Sequence, residues 1–210
     1  MKLAQEGVAF VVALGVATLV ANLLGYWWVG LALLVSTLAV ASFFRDPDRV
    51  VPRGDHVVSP ADGRVVAIDR EAHAETASGE IFQRVAIFMS PANVHVNRIP
   101  ASGEVVSVKH TSGRFLAAYN ERSSMENERN EVVLRDLRGR VTVLVQVAGV
   151  LARRIVCHLR PGQRVEQGDR FGLIMFGSRV DIYVPPSAHI LVRVGDRVRA
   201  GSVVLAEYPA

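Results

Sequence analysis

The chain has 210 residues, half of them hydrophobic, with 24 basic and 20 acidic side chains and a net charge of +4. That composition excludes a disordered chain, and the single cysteine, Cys157, excludes an intrachain disulfide and a cysteine-rich zinc site. The basic balance leaves nucleic acid and an anionic membrane surface open, and the placement of the charges decides between them. No charged residue lies between Glu6 and Arg45, so the whole excess sits from Arg45 onward.

Residues 7–44 are apolar almost throughout. One helix over them would be about 57 Å long, nearly twice the roughly 30 Å hydrocarbon core of a bilayer. A break is expected at Gly25-Tyr26-Trp27-Trp28-Val29-Gly30, because glycine loosens a helix and Trp and Tyr favour the headgroup boundary. The expectation is a membrane-anchoring segment, 1–44, folded as a helical hairpin of about 8–24 and 29–44. The run is too long for a cleaved signal peptide. Lys2 before it, with Arg45, Arg49 and Arg53 after it, places both ends in the cytoplasm by the positive-inside bias.

From Val50 the pattern changes to short β-branched runs punctuated by glycine and proline. Val65–Ile68, Val85–Phe88, Val105–Val108 and Val141–Val145 read as strands of an all-β sandwich or barrel. Only Phe115 to Glu131 reads as helical or irregular. Two repeats run through this part. Pro60-Ala61-Asp62-Gly63-Arg64-Val65-Val66 is echoed by Pro100-Ala101-Ser102-Gly103-Glu104-Val105-Val106, and Gly162-Gln163-Arg164-Val165-Glu166-Gln167-Gly168 by Gly195-Asp196-Arg197-Val198-Arg199-Ala200-Gly201. Asp62 thus stands where the echo has Ser102, although Asp-Gly by itself is simply a good turn. The G-x-R-V-x-x-G turns resemble those of biotinyl and lipoyl carrier domains. The fold expected from that resemblance is a mainly β barrel-sandwich hybrid with internal repeats, beside the N-terminal hairpin. A carrier presents a modifiable lysine, and Lys109, the only lysine after residue 45, lacks the flanking pattern. A membrane-anchored carrier-like domain without catalysis is therefore the second reading.

Gly177-Ser178 interrupts an apolar strand, which is locally costly because glycine weakens strands and serine packs little. Taken with five other segments it carries a resemblance. These are Phe43-Phe44-Arg45-Asp46-Pro47, Ser59-Pro60-Ala61-Asp62-Gly63, Phe88-Met89-Ser90-Pro91, Val94-His95-Val96-Asn97-Arg98 and Glu126-Asn127-Glu128-Arg129-Asn130, followed by Phe176-Gly177-Ser178-Arg179-Val180-Asp181. Together, over essentially the whole chain, they resemble the phosphatidylserine decarboxylase proenzymes of the short bacterial type. Decarboxylating an amino acid leaves a carbanion that needs an electron sink. Pyridoxal phosphate is excluded by the setting of Lys109 and the lack of a phosphate-binding glycine loop.

The resemblance implies instead a covalent pyruvoyl group made by self-cleavage, with no metal. In that scheme Ser178 Oγ attacks the Gly177 carbonyl, the amide becomes an ester, and elimination releases a β chain, 1–177. The dehydroalanine left behind hydrolyses to a pyruvoyl group and ammonia at the head of an α chain, 178–210. The catalytic domain is then 45–210, with cleavage at Gly177 and Ser178. Asp62 and His95 match the residues that the family assigns to activating the serine. Longer relatives carry a second histidine where this chain has Arg98, so His95 serves both steps or one role has moved. Arg98 and Asn97 are the candidates for binding substrate, with a plain surface arginine the alternative for Arg98. The order Asp, His, Ser also fits a hydrolase triad, but no G-x-S-x-G elbow is present. The implied partners are phosphatidylserine, an anionic membrane surface, and the α and β chains as a heterodimer, with a dimer of such pairs as an option. Nucleic-acid binding has no motif behind it. The implied location is the cytoplasmic side of a bacterial inner membrane. An archaeal-type serine ether lipid remains open as substrate.

Overall fold

The computed structural model describes residues 2–52, 54–72, 81–113, 127–149, 154–175 and 178–209. The chain divides into two compact units, 1–48 and 49–210.

In the first unit, β1 (Lys2–Leu3) leads into α1 (Gln5–Leu23), α2 (Trp27–Phe43) and β2 (Arg45–Asp46). The two short strands pair with each other, so the ends of the helical hairpin meet. The turn falls at Leu24–Tyr26, where Gly25 has φ +81°, a conformation open to glycine at no steric cost. Trp27 and Trp28 open α2 instead of sitting in the break, with their rings stacked 3.5 Å apart. The helices approach closely at small residues, Gly30 lying against Asn22, and the hydroxyls of Thr18 and Thr37 lie 3.5 Å apart. The rest of the apolar surface points outward, Leu23 being 77% and Leu38 61% exposed. By length and composition α1 can cross a membrane. With 17 residues, α2 sits at the lower limit for a span.

The second unit is mainly β, as expected. Its first strands are β3 (His56–Val58), β4 (Gly63–Ala72), β5 (Ile81–Met89), β6 (Val96–Arg98), β7 (Gly103–Thr111), β8 (Arg129–Arg135) and β9 (Val141–Val147). There follow β10 (Ile155–Cys157), β11 (Arg164–Val165), β12 (Arg170–Ile174), β13 (Ser178–Val184), β14 (His189–Ile190), β15 (Arg197–Val198) and β16 (Val204–Glu207). All four expected β runs lie inside strands. The segment 115–131 needs a correction. Residues 115–126 lie outside the described ones, but Arg129–Glu131 belong to β8, paired on both sides with β7 and β9. Their polar sequence hides a strand because Asn130 is a buried polar residue on the face shared with Val132 and Leu134.

The large sheet has the order β11-β7-β8-β9-β13-β5-β4-β15. This order is a palindrome, and the sequence repeats explain it. Gly103–Glu104 pairs with Arg164–Val165 as Gly63–Arg64 pairs with Arg197–Val198. Bulges fall at the same place in both halves, after Val65 and after Val105. The centre of the palindrome is the Leu144↔Ile182 pair between β9 and β13. The two small sheets, β10-β12-β6 and β14-β16-β3, repeat the pattern with bulges after Arg170 and after Val204. The first half of the duplication is split in the chain. The second half, β6 to β12, is inserted between β5 and β13, where its own β8–β9 hairpin has only a short turn. Ser178 therefore begins β13 at the point where the duplicated hairpin is opened.

Glycine is required where the repeats start. A Cβ on Gly63 would strike the Phe88 carbonyl oxygen, and one on Gly103 the Arg135 carbonyl oxygen. Both obstacles are backbone atoms inside a sheet and cannot swing away. Gly63→Ala is expected to cost roughly 2–3 kcal/mol by overpacking, which is a fall of roughly 5–10 °C in a thermal melt followed by circular dichroism. An unchanged melt would mean that this end of β4 adapts. The main core lies on one face of the sheet, with Val65, Ile87, Leu134, Leu144, Phe171 and Ile182 all buried.

Candidate active site

Ser178 is the first residue of β13 and lies opposite Met89 of β5. Period-2 alternation puts its side chain on the same face as Val180 and Ile182, towards the main core. The residue is fully buried, and its Oγ has no hydrogen-bond partner among the described residues. Gly177 lies outside the described residues.

A line of buried polar groups runs towards this point. Asn130 Nδ2 donates to Gln146 Oε1 at 3.0 Å, and Gln146 Nε2 donates to Asn97 Oδ1 at 2.9 Å. Asn97 Nδ2 in turn lies 3.7 Å from the Met89 sulfur, beside Ser178. Sequence reasoning named Asn97 but missed Gln146, whose apolar strand gave no sign of a buried amide. The polar run ending at Asn130 gains a role here, and Asn127 also has one, donating to the Ala148 carbonyl at 2.7 Å.

His95 precedes β6, is 2% exposed and has Nδ1 3.0 Å from the Asn93 carbonyl oxygen. A carbonyl only accepts, so Nδ1 carries the proton, and in the neutral form of the ring the lone pair then lies on the buried Nε2. Asn93 is itself held by a turn, its Oδ1 accepting from the Ser90 backbone N–H and hydroxyl.

Asp62 is held through both oxygens. Oδ1 accepts the Ala200 N–H at 2.8 Å, and Oδ2 receives Arg49 Nη2 at 2.7 Å. The side chains of the pair are 12% and 11% exposed, so this ion pair is nearly buried. The duplicated half shows which bond the fold itself uses. There Ser102 Oγ accepts the Gln167 N–H at 2.9 Å, in the place equivalent to the Asp62–Ala200 bond. The second oxygen and its partner Arg49 are extra. In the sequence Arg49 is only a positive charge beside the hydrophobic hairpin.

Asp62, Ser90 and Asn93 line one cavity of about 790 Å³, together with Arg64, Arg197 and Arg199. Ser178 lies on the strand next to its floor, opposite the residue between Phe88 and Ser90. Arg98 goes elsewhere. It is 6% exposed and its Nη1 donates to the Gly168 carbonyl at 2.9 Å, bracing a turn of the second repeat. Cys157 is no alternative nucleophile, since burial pushes its thiol pKa up and keeps it protonated.

A buried serine after a glycine, a buried histidine and a buried, cation-paired aspartate fit the motifs that carried the resemblance. The profile of the phosphatidylserine decarboxylase family matches residues 37–206. The chain belongs to this family. It is 43% identical over 208 residues to the phosphatidylserine decarboxylase proenzyme of Syntrophus aciditrophicus, covering 98% of this chain and 97% of that one. The proenzyme of the same name from Geotalea uraniireducens is 44% identical over 210 residues, covering 99% and 97%. That of Pelobacter propionicus is 49% identical over 170 residues, covering 80% and 76%. The carrier-like reading without catalysis thus gives way to membership of a decarboxylase family.

Proposed function

We propose that the chain is a proenzyme that cuts itself between Gly177 and Ser178 and then decarboxylates phosphatidylserine to phosphatidylethanolamine. The observation that carries this reading is the Ser178 hydroxyl. A buried hydroxyl without a partner costs about 1–3 kcal/mol, and a serine kept there for packing alone would serve better as alanine. Its position at a strand start, after a glycine free of Cβ hindrance, suits attack of Oγ on the preceding carbonyl.

The site fits a pyruvoyl group formed from Ser178, because Oγ is buried on a face where Asn97 and Gln146 supply polar neighbours. That group supplies the electron sink for loss of carbon dioxide. The chain's own residues do the rest. His95, with its proton fixed on Nδ1, offers Nε2 as the base. Asp62 is held in place by Arg49 and the Ala200 N–H. Asn97, anchored by Gln146, sets the polar end of the Met89 contact beside Ser178. The body from residue 45 acts as the catalytic domain, made of a β chain, 1–177, and an α chain, 178–210, held together by the pairing of β13 with β5 and β9. Its apolar hairpin serves as the anchor in a bacterial inner membrane, with both ends on the cytoplasmic side.

Intact mass measurement tests the reading. The mature protein should give two chains, the smaller of 33 residues and refractory to Edman sequencing. An active preparation containing only the 210-residue chain would sink it.

A further inference from the structure

We infer that Arg64, Arg197 and Arg199 form the subsite that grips the phosphodiester of the lipid headgroup. This rests on the decarboxylase reading and adds to it the residues that select a phospholipid over free serine. All three line the 790 Å³ cavity beside Asp62. Their guanidinium groups are exposed and make no hydrogen bond or ion pair with any described residue. The one carboxylate among the lining residues, Asp62, is already paired with Arg49. Three uncompensated cations around one cavity call for an anionic ligand, and the planar guanidinium matches phosphate oxygens in pairs.

The duplication supplies an internal control. The equivalent cavity in the other half, about 700 Å³, is lined by Glu104, Arg164 and Glu166 at the places of Arg64, Arg197 and Arg199. Its further arginines are Arg135, Arg138 and Arg140; Arg140 pairs with Asp55 and Asp136, Arg138 pairs with Asp55, and with Glu104 and Glu166 the described lining carries four acidic groups against four arginines. The Arg140 guanidinium holds the Asp55 carboxyl below its usual range. The same turns and strand starts therefore form without the arginine trio, so the fold does not require it. Of these two cavities, the one beside Asp62 is set up for an anion.

The chemistry assigns the arginines to the phosphodiester and not to the substrate carboxylate. A carboxylate clamped by arginine would be stabilised in the ground state and lose that stabilisation as carbon dioxide leaves, raising the barrier. The phosphodiester keeps its charge throughout, so binding energy spent there orients the serine without opposing the reaction.

The test uses self-cleaved enzyme with phosphatidylserine in neutral-detergent micelles, comparing wild type with Arg197→Ala/Arg199→Ala and with Arg199→Glu, the residue of the twin cavity. Circular dichroism verifies the fold of each. The double variant should raise KM at least tenfold with kcat within threefold, and Arg199→Glu should raise KM further than Arg199→Ala. Calorimetry gives a second readout. Glycerophosphoethanolamine should bind wild type at least tenfold more tightly than the double variant, while ethanolamine, which lacks the phosphate, should not distinguish them. Inorganic phosphate binding as tightly as glycerophosphoethanolamine would assign the site to a free anion and overturn the headgroup assignment. Folded variants with unchanged KM and unchanged binding would overturn the arginine assignment while leaving the decarboxylase reading intact. A wild type that releases no carbon dioxide would remove both.

Discussion

Ser178→Ala is expected to leave the 210-residue chain whole, to abolish decarboxylation, and to leave the fold as stable as before or more so. The three results together separate a chemical serine from a structural one. The variant loses the only atom able to attack the Gly177 carbonyl from the neighbouring residue, so no 33-residue fragment should appear by mass. Without cleavage no carbonyl group forms at residue 178, and decarboxylation should fall to background. Stability moves the other way. Oγ is buried without a partner among the described residues, so its removal relieves about 1–3 kcal/mol of desolvation cost. The alanine methyl sits on the core face of β13, beside Val180 and Ile182. A packing serine would give the opposite pattern, with lower stability and unaltered processing. Detection of the normal fragment in Ser178→Ala would exclude Ser178 as the source of the prosthetic group.

Much of this architecture was legible in the sequence because repeats and periodicity are local. The Gly162–Gly168 and Gly195–Gly201 segments announced matching turns, and all four glycines adopt positive φ, from +69° to +100°. The β-branched runs became strands because alternation on a half-buried sheet leaves that trace. The apolar hairpin followed from length alone. The pairing of one repeat family with the other was not legible, since register between strands so far apart in the chain, Glu104 with Arg164 and Arg64 with Arg197, leaves no local mark. Nor was the partner of Asp62. Arg49 lies 13 residues away in a charged stretch where its sign has an obvious use, and only the folded chain brings its guanidinium to Oδ2. The buried amides failed to stand out for a related reason. Asn130 and Gln146 satisfy each other across β8 and β9, and each looks out of place when its strand is read alone. Arg98, the candidate substrate contact, gave no sign in the sequence of the bond its side chain makes. Its buried hydrogen bond to Gly168 gives it a bracing task.

Asp62→Ser should fold and yet fail to process itself at a normal rate. The duplication makes this substitution more informative than alanine, because serine is what the other half of the molecule uses. Ser102 accepts the Gln167 N–H, so a serine at 62 can accept the Ala200 N–H and keep the turn. What disappears is the carboxylate and its bond to Arg49. Loss of a general base or of the group orienting it slows such a step by roughly 10²–10⁴-fold, measured as the half-time of fragment appearance after synthesis in a cell-free system. One side effect must be separated from this. Arg49 would be left nearly buried without its partner, an arrangement that is destabilising by roughly 3–5 kcal/mol when the cation cannot reach water. The double variant Asp62→Ser/Arg49→Ala removes that penalty and should recover most of the melting temperature. Its self-cleavage should stay slow, because restored stability does not restore the carboxylate. If the double variant instead cleaves at the wild-type rate, Asp62 is a turn residue with an ion pair, and activation of Ser178 belongs to His95 alone.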